Sequence, residues 1–175
     1  LTHRNVASNI QAFREVLNFR DSDVVLGILP FFHSFGYTTT LWSTLVMNTM
    51  GVFHFNPLEY RPVGALCRKY HGTVMVNTPT FLRTYLRRCD PQDLASLVML
   101  IAGAERLPQD LADAFEKKFG VRPQEGYGTT ELSPVVATNV PPARQRPGQN
   151  ADRMGTIGKP LPGVMAKIVD LDTGA

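Results

Sequence analysis

Residues 125–131 combine side chains that could bind a nucleotide. Their sequence, Glu-Gly-Tyr-Gly-Thr-Thr-Glu, places an aromatic ring between two glycines, followed by two hydroxyls and a carboxylate. Tyr127 could present its ring face to a base, the hydroxyls could donate hydrogen bonds to a phosphate, and Glu131 could hold Mg²⁺ through its oxygens. A structural interpretation is also open, in which Thr129 or Thr130 caps a short helix whose first turn favours the charge of Glu131.

Small residues at a second position, Ala102-Gly103-Ala104, end an apolar run of strand length and precede Glu105. In an open parallel sheet, ligands bind outside the carboxyl ends of the strands. Residues 125–131 also follow a predicted strand. Small side chains there would let a flat ligand ring approach the backbone, but a tight strand-to-helix turn would need the same residues.

The commonest phosphate-binding and hydrolase motifs do not occur in the sequence. GxGxxG is absent and residues 155–159 lack the spacing of GxxxxGK[ST], which disfavours Rossmann dehydrogenases and P-loop NTPases. Residues 32–36 lack the first glycine of GxSxG, which disfavours a serine hydrolase. Cys67 and Cys89 lie 22 positions apart with no metal-ligand spacing, so we expect reduced thiols in a cytoplasmic protein.

Helical and strand-like periodicities alternate along the chain, and this alternation has to position the two motifs. Strands that alternate with helices favour right-handed crossovers, and therefore an α/β fold with a mostly parallel sheet and flanking helices. The predicted helices are 6–17 with Thr2 as N-cap, 35–50, 63–70, 79–88 and 108–119. The predicted strands are 24–29, 52–55, 73–76, 97–102, 121–125 and 164–171, and 141–162 is predicted to be a surface loop.

Composition limits the classes of protein and partner. The chain has 175 residues, of which 43% are hydrophobic, enough for one core. Its net charge of +3 comes without a basic run, so we expect no nucleic-acid partner, while anionic small molecules remain compatible. The charge-free stretch 24–58 is interrupted by Pro30, His33 and Asn48, so we expect no membrane span. We also expect no secretory leader, because no charged and then apolar segment follows Leu1.

Five segments, in order, resemble motifs of the adenylate-forming superfamily, which includes acyl-CoA synthetases, luciferases and the adenylation domains of peptide synthetases. Residues 127–131 (YGTTE) are similar to its signature. The other four are 1–5, like the segment after the phosphate loop; 29–36 (LPFFHSFG), like the acyl-pocket motif; 103–105, like the adenine-side loop; and 155–163, like the GxxGxPxPG loop. Together they cover essentially the whole chain.

Within that superfamily, LPFFHSFG, AGAE, EGYGTTELSPVV and NVP at 139–141 most resemble the synthetase half of bifunctional acyl-acyl carrier protein synthetase/2-acylglycerophosphoethanolamine acyltransferases. The resemblance implies a parent protein associated with the cytoplasmic face of the inner membrane. No H-x4-D follows any of the four histidines, so a glycerolipid acyltransferase motif would lie elsewhere in the parent.

The resemblance implies that a fatty acid reacts with ATP in the presence of Mg²⁺ to form acyl-AMP, and that the acyl group then passes to the thiol of CoA or acyl carrier protein. By the resemblance, Tyr127 stacks on adenine, Thr130 binds the α-phosphate and Glu131 coordinates Mg²⁺. His33 would lie beside the acyl carboxylate, whereas the residue alone also fits a hydrogen-bonded core histidine. The remaining implied nucleotide contacts are Gly103, Ala104, Glu105, Glu125, Gly126, Gly128 and Thr129.

An acyl tunnel beside His33 would need apolar walls. We expect Trp42, Leu45, Val46 and Met47 to provide them, with core packing as the alternative. By the resemblance, a phosphate loop precedes the chain and a ribose-binding aspartate and a C-terminal domain follow it. The chain is then the central fragment of the large N-terminal domain, residues 1–175 forming a partial AMP-binding domain that is inactive alone.

Two other functions fit the same fold. One is a catalytically silent interaction or carrier-docking module, and the other is a different nucleotide-dependent α/β enzyme. The presence of Glu131 beside Thr130 and Tyr127 favours the ligase, because a silent module has no need of a Mg²⁺ ligand.

Overall fold

The computed structural model describes residues 1–149 and 151–174, and its central element is a seven-stranded sheet of order β2-β1-β3-β4-β5-β6-β7. Strands β1 to β5 pair in parallel, whereas β6 and β7 are added antiparallel. The predicted α/β fold with a mostly parallel sheet is confirmed. The strands are β1 Val24–Gly27, β2 Met50–Phe53, β3 Val74–Asn77, β4 Met99–Ala102, β5 Gln124–Gly128, β6 Val135–Thr138 and β7 Lys159–Pro160.

Helices cover both faces of this sheet because the side chains of each strand point alternately to the two sides. On one face, Val25, Val74 and Met99 pack with apolar residues of α1. On the other, Leu26, Met75 and Leu100 pack with apolar residues of α4, α5 and α6. The helices are α1 His3–Val16, α2 Ser34–Gly36, a π-helix Tyr37–Trp42, α3 Ser43–Met47, α4 Tyr60–Tyr70, α5 Pro79–Arg88 and α6 Gln109–Phe119.

Capping residues fix several helix ends where the sequence predicts them. Thr2 caps α1: its backbone N–H donates to Asn5 Oδ1 at 2.8 Å, and its hydroxyl accepts from the Asn5 N–H. Gly120 ends α6 with φ +76°, a left-handed conformation that costs a glycine little. The predicted helix 79–88 has the observed bounds of α5.

The predicted helix 35–50 is wrong in its interior and at its end. Residues Tyr37–Trp42 form a π-helix, and Met50 belongs to β2. Hydroxyl side chains there donate to backbone carbonyls one turn earlier, as Thr40 Oγ1 does to Gly36 O at 2.6 Å, and such bonds compete with the regular α-helical ladder. Asn48, with φ 56°, then ends α3.

Other predictions also differ from the structure, several of them only by two or three residues at an element's ends. The strand predicted at 121–125 begins only at Gln124, since Pro123 has no N–H for a ladder, and it continues to Gly128. No strand forms at 164–171, where Met165 and Ile168 are almost fully exposed and the described part of the chain places no strand beside them. The predicted loop 141–162 is mostly irregular, but it is anchored by buried residues and contains β7. Strand β6 was not predicted.

Within residues 1–149 and 151–174, no helix has both the length and the apolar character needed to cross a bilayer.

Candidate functional site

A cavity of about 240 Å³, called the inner cavity below, opens at the carboxyl ends of the central strands. The sequence places the motifs at 102–105 and 125–131 at this edge of the sheet. The inner cavity lies between the sheet and the helices on the α1 face, because residues of α1, β3 and β4 form its walls. Eight predicted site residues line it: His33, Gly103, Ala104, Gly126, Tyr127, Gly128, Thr129 and Thr130.

A second, more open pocket of about 410 Å³ lies beside the first. Glu105 and Glu125, which do not line the inner cavity, line this pocket together with Ala104 and Tyr127. Tyr127 borders both spaces, and its side chain is half-exposed. The structure thus brings together the predicted nucleotide contacts from β4 and β5 at one edge of the sheet.

The end of β4 is shaped by close backbone packing. The N–H of Gly103 donates to Asn77 O at 3.0 Å, which continues the ladder with β3. A Cβ at Gly103 would lie 2.9 Å from Phe35 Cζ, so a larger residue would push against the acyl-pocket motif. Ala104 takes a left-handed backbone with φ 66°, which is rare for a residue with a side chain, and the chain bends there after β4.

Of the motif at 125–131, called the Tyr127 motif below, residues 125–128 lie within β5 and only residues 129–131 follow it, which corrects the prediction that the strand ends at Glu125. The pairing register of β5 with β6 shifts between Tyr127 and Gly128. A Cβ at Gly128 would lie 2.8 Å from the carbonyl carbon of Pro134, so only glycine fits against this neighbour. The N–H of Thr129 then donates to Pro134 O at 2.9 Å and holds the hydroxyl pair at the strand end.

Thr129 occupies the N-cap position of a 3-10 helix, Thr130–Leu132, but its side chain makes no capping hydrogen bond. The structural interpretation is therefore right about a short helix with Glu131 in its first turn, but no threonine side chain caps that helix. Instead, Thr130 Oγ1 lies 2.9 Å from Ser34 Oγ, a hydrogen bond between segments 96 residues apart. This contact joins the Tyr127 motif to the residue after His33.

His33 is exposed at the mouth of the cavity, which rules out the alternative that it is a core histidine. Its Nδ1 accepts a hydrogen bond from the Phe35 N–H at 3.2 Å, as the N-cap of α2. This bond orients the ring and leaves Nε2 on the opposite side of the imidazole.

The three glutamates among the predicted site residues, Glu105, Glu125 and Glu131, have different surroundings. Glu105 Oε2 accepts from Thr80 Oγ1 at 2.8 Å, and Glu125 Oε1 accepts from the Leu107 N–H at 3.4 Å. Glu131 is exposed in the first turn of the 3-10 helix and lines neither pocket. Among the described residues, no group of three or more His, Cys, Asp or Glu could hold a metal ion. One carboxylate still fits Mg²⁺, which is usually held by one or two carboxylates together with substrate phosphates and water.

The predicted tunnel walls are wrong. Trp42, Leu45, Val46 and Met47 do not line the cavity: Leu45 and Val46 face outward, and Met47 is buried in the core with α1. The apolar walls come instead from α1 and its C-terminal extension, from β3 and β4, and from the start of β6. Sequence reasoning identified α1 as a helix with one buried face, but periodicity cannot show that this face borders a cavity. These wall residues are Phe13, Leu17, Phe19, Val74, Val76, Ile101, Pro134 and Val135.

Comparison with known proteins gives consistent matches over the whole chain. The family model for "AMP-binding enzyme" matches residues 1–175. A long-chain-fatty-acid–CoA ligase of Bacillus subtilis is 30% identical over 180 residues, covering 99% of this chain and 30% of the relative. A probable 4-coumarate–CoA ligase 3 of Dictyostelium discoideum is 31% identical over 182 residues, covering 99% of this chain and 31% of the relative.

Solved structures agree with the sequence matches. The anthranilate CoA ligase AuaEII in complex with anthranoyl-AMP superposes with a TM-score of 0.84 and 28% identity, covering 99% of this chain and 33% of that chain. ATP-bound MatB from Rhodopseudomonas palustris gives a TM-score of 0.81 and 28% identity, with the same coverage. The chain therefore spans about a third of the length of the relatives that it matches.

Proposed function

Because the chain belongs to the AMP-binding enzyme family, we propose that it forms the central part of a ligase that activates a carboxylate with ATP and passes the acyl group to a thiol. One observation carries the proposal: Tyr127 borders both an open pocket, whose wall contains charged side chains and several glycines, and an inner cavity with mostly apolar walls. A nucleotide in the first space and an acyl group in the second would meet beside Thr130.

The reaction has two steps. A carboxylate oxygen attacks the α-phosphorus of ATP, forming the acyl-phosphate bond of acyl-AMP as pyrophosphate leaves. A thiol then attacks the acyl carbon, forming a thioester, and AMP leaves. A carboxylate alone acylates poorly because its leaving group would be oxide, so the enzyme has to align the reactants and neutralise phosphate charge.

We assign roles to the residues at the cavity mouth. Tyr127 stacks on adenine in the open pocket, whose walls include Ala104, Glu105, Glu125 and Gly126, while Gly103 lines the adjoining inner cavity. The hydroxyl of Thr130 donates to the α-phosphate, and Gly128 lets the backbone pass close to Pro134 while Thr129 holds the strand end. His33 lies beside the carboxylate, where a ring nitrogen can donate to an oxygen that gains charge.

Mg²⁺ would be held by Glu131 together with phosphate oxygens of ATP. When bound, the ion supplies Lewis-acid stabilisation of phosphate charge. Glu131 suits this role because it is exposed at the edge of the site and adjacent to Thr130, so it can reach a phosphate-bound ion without a desolvation cost.

The proposed carboxylate is a fatty acid and the proposed acceptor is the thiol of CoA or acyl carrier protein. The apolar cavity walls support the first, and CoA ligases among the relatives support CoA. The resemblance of LPFFHSFG and the Tyr127 motif to acyl-acyl carrier protein synthetases supports the carrier protein. Supplying each thiol in turn to the full-length protein, with acyl-AMP formed in place, decides between the two.

The Glu131→Gln variant of the full-length protein tests the proposed function. We expect Mg²⁺-dependent exchange between ATP and radiolabelled pyrophosphate, driven by a fatty acid, to fall by roughly a hundredfold or more, since a metal ligand in such a step contributes several kcal/mol. Glu15→Gln, an exposed glutamate of α1 that lines neither pocket, is the matched control and should exchange normally. Unchanged exchange in Glu131→Gln would exclude the assigned metal role.

A further inference from the structure

The inner cavity changes from a polar mouth to an apolar interior. At the mouth, Tyr127 is 45% exposed and Thr129 and Thr130 present hydroxyls. Towards the sheet and α1, Phe13 is 2% exposed and Val74 is fully buried. An elongated ligand would therefore place its charged end at the mouth and its apolar end against α1.

Residues from α1 and its C-terminal extension form the inner wall. Phe13 lies on the buried face of α1, and Leu17, the C-cap residue of that helix, follows one turn later. The rings of Phe13 and Phe19 are tilted at a centroid distance of 6.1 Å. Val74, Val76 and Ile101 of β3 and β4 also line the cavity. We call Phe13, Leu17 and Phe19 the end wall.

Two hydroxyls in the cavity wall, those of Thr39 and Thr138, are already bonded to the backbone. Thr39 Oγ1 donates to Phe35 O at 2.6 Å, and Thr138 Oγ1 donates to Asn139 O at 2.9 Å. Both side chains can therefore present their methyl groups to the cavity. An apolar occupant would leave neither hydroxyl unpaired.

The end wall is held in place by a hydrogen-bonded contact between α1 and β6. Asn9 Nδ2 donates to Val135 O at 2.7 Å, and the Val135 N–H donates to Asn9 Oδ1 at 3.2 Å. Asn9 is 8% exposed, and Val135 itself lines the cavity. Because the backbone N–H and the carbonyl of Val135 are both paired with the Asn9 side chain, α1 cannot slide along the sheet without breaking two buried hydrogen bonds.

We propose that the end wall limits the length of the acyl group, and that the substrate is an apolar carboxylate of on the order of ten carbons. This inference rests on the proposed function. The number of carbons follows from the volume of the inner cavity. A cavity of about 150 Å³ holds benzene, with six carbons, so about 240 Å³ holds on the order of ten carbons. Medium-chain fatty acids and aromatic acids such as 4-coumarate both carry a carboxylate on a largely apolar group of this size.

Chain-length profiles of the full-length protein test the proposal. Acyl-AMP formation is measured with hexanoate, octanoate, decanoate, dodecanoate and hexadecanoate, and with benzoate and 4-coumarate as the aromatic arm. We expect kcat/KM to be highest at or below decanoate among the fatty acids and to fall steeply for hexadecanoate. If kcat/KM is comparable for the best fatty acid and for 4-coumarate, the cavity selects by size. If kcat/KM is much higher for one of the two classes, that class is the natural substrate.

Variants of Leu17 then test whether this residue sets the limit on acyl-chain length. Leu17→Ala lengthens the cavity, so the ratio of kcat/KM for dodecanoate to that for octanoate should rise by roughly tenfold or more, while Leu17→Phe should lower it. Leu111→Ala removes the same atoms from another buried leucine, on the opposite face of the sheet, and should leave the ratio unchanged. A ratio that stays constant in both Leu17 variants, or a wild-type optimum at hexadecanoate, overturns the proposal.

Binding measured without ATP separates this inference from the proposed function. Displacement of the fluorescent fatty acid cis-parinarate by octanoate and by hexadecanoate reports on the cavity even if no carboxylate is adenylated. Absence of acyl-AMP with every acid would reject the proposed function, while a length preference in displacement that shifts in Leu17→Ala would still support the end wall. Displacement that is independent of length in both proteins would reject the end wall.

Discussion

At the scale of single residues, the two cysteine thiols illustrate how burial controls chemistry. Cys67 and Cys89 are free and buried in the core on the α4 and α5 face. Burial raises the pKa of the Cys67 thiol, and it raises the pKa of Cys89 from its ordinary value of 9.0 to about 12. Neither thiol can ionise readily near neutral pH, and free thiols agree with the sequence prediction.

We therefore expect both thiols to resist Ellman's reagent in the folded protein. With a pKa of about 12, only about one Cys89 thiol in ten thousand is ionised at pH 8. In guanidinium chloride both should react rapidly, which is the control. Because the folded state holds the Cys89 proton more tightly, its contribution to stability is present below pH 9.0 and is lost as the pH rises towards about 12. Rapid reaction of either thiol in the folded protein would contradict this expectation.

At the scale of secondary-structure elements, the sequence predicts an element well where its signals are local. Pro108 and Gly120 border α6, and Thr2 caps α1, so short-range chemistry fixes these ends. The order of strands and helices also follows from alternating periodicity. The Tyr127 and Gly103 motifs are placed together because both lie at the carboxyl ends of neighbouring parallel strands.

Elements that depend on distant contacts could not be predicted in the same way. The π-helix Tyr37–Trp42 reflects hydroxyls bonding to carbonyls, which hydrophobic periodicity does not detect. Strand β6 depends on pairing with β5 and on Asn9, which lies 126 residues from Val135. The cavity walls on α1 were missed for the same reason, because buried periodicity is identical for a packed core and for a cavity lining.

The Asn9 contact gives a prediction at this scale. Asn9→Ala leaves the N–H and the carbonyl of Val135 without their partner, and each buried unpaired group costs about 1–3 kcal/mol. The free energy of unfolding, measured in urea, should fall by about 2 kcal/mol or more. Gln11→Ala, an exposed position on the same helix, should change it by less than about 0.5 kcal/mol. Equal effects of the two variants would show that the contact does not hold α1 on the sheet.

At the scale of the whole molecule, a buried ion pair joins distant parts of the chain. Arg144 and Asp23 form a bidentate pair in which both side chains are 2% exposed. Arg144 also donates to Asn18 O at 3.2 Å, and Asp23 accepts from Thr73 Oγ1 at 2.9 Å. This network fastens the proline-rich segment after β6 to the turn between α1 and β1. Arginine beside prolines is typical of a surface loop, so the sequence predicted no such anchor.

Removing one partner of this pair should be costly. Arg144→Met leaves Asp23 as a buried charge, and we expect the free energy of unfolding to fall by about 3–5 kcal/mol. Asp113→Ala removes one partner of the Arg122–Asp113 pair, where the Asp113 side chain is 66% exposed, and should cost less than about 1 kcal/mol. Comparison of the two variants by urea unfolding measures how much burial contributes. A small loss in Arg144→Met would show that the anchor is dispensable.

The hydrogen bond between Ser34 and Thr130 also has a polarity. A hydroxyl carries a single proton, so if Thr130 gives its proton to a phosphate oxygen, its own oxygen can only accept from Ser34. Under the proposed function, a nucleotide bound beside Tyr127 would thereby select one rotamer of the Ser34 O–H bond, next to His33 at the mouth of the inner cavity. A ligand in the open pocket would therefore set the direction of a hydroxyl dipole at the entrance to the inner cavity, with no movement of the backbone.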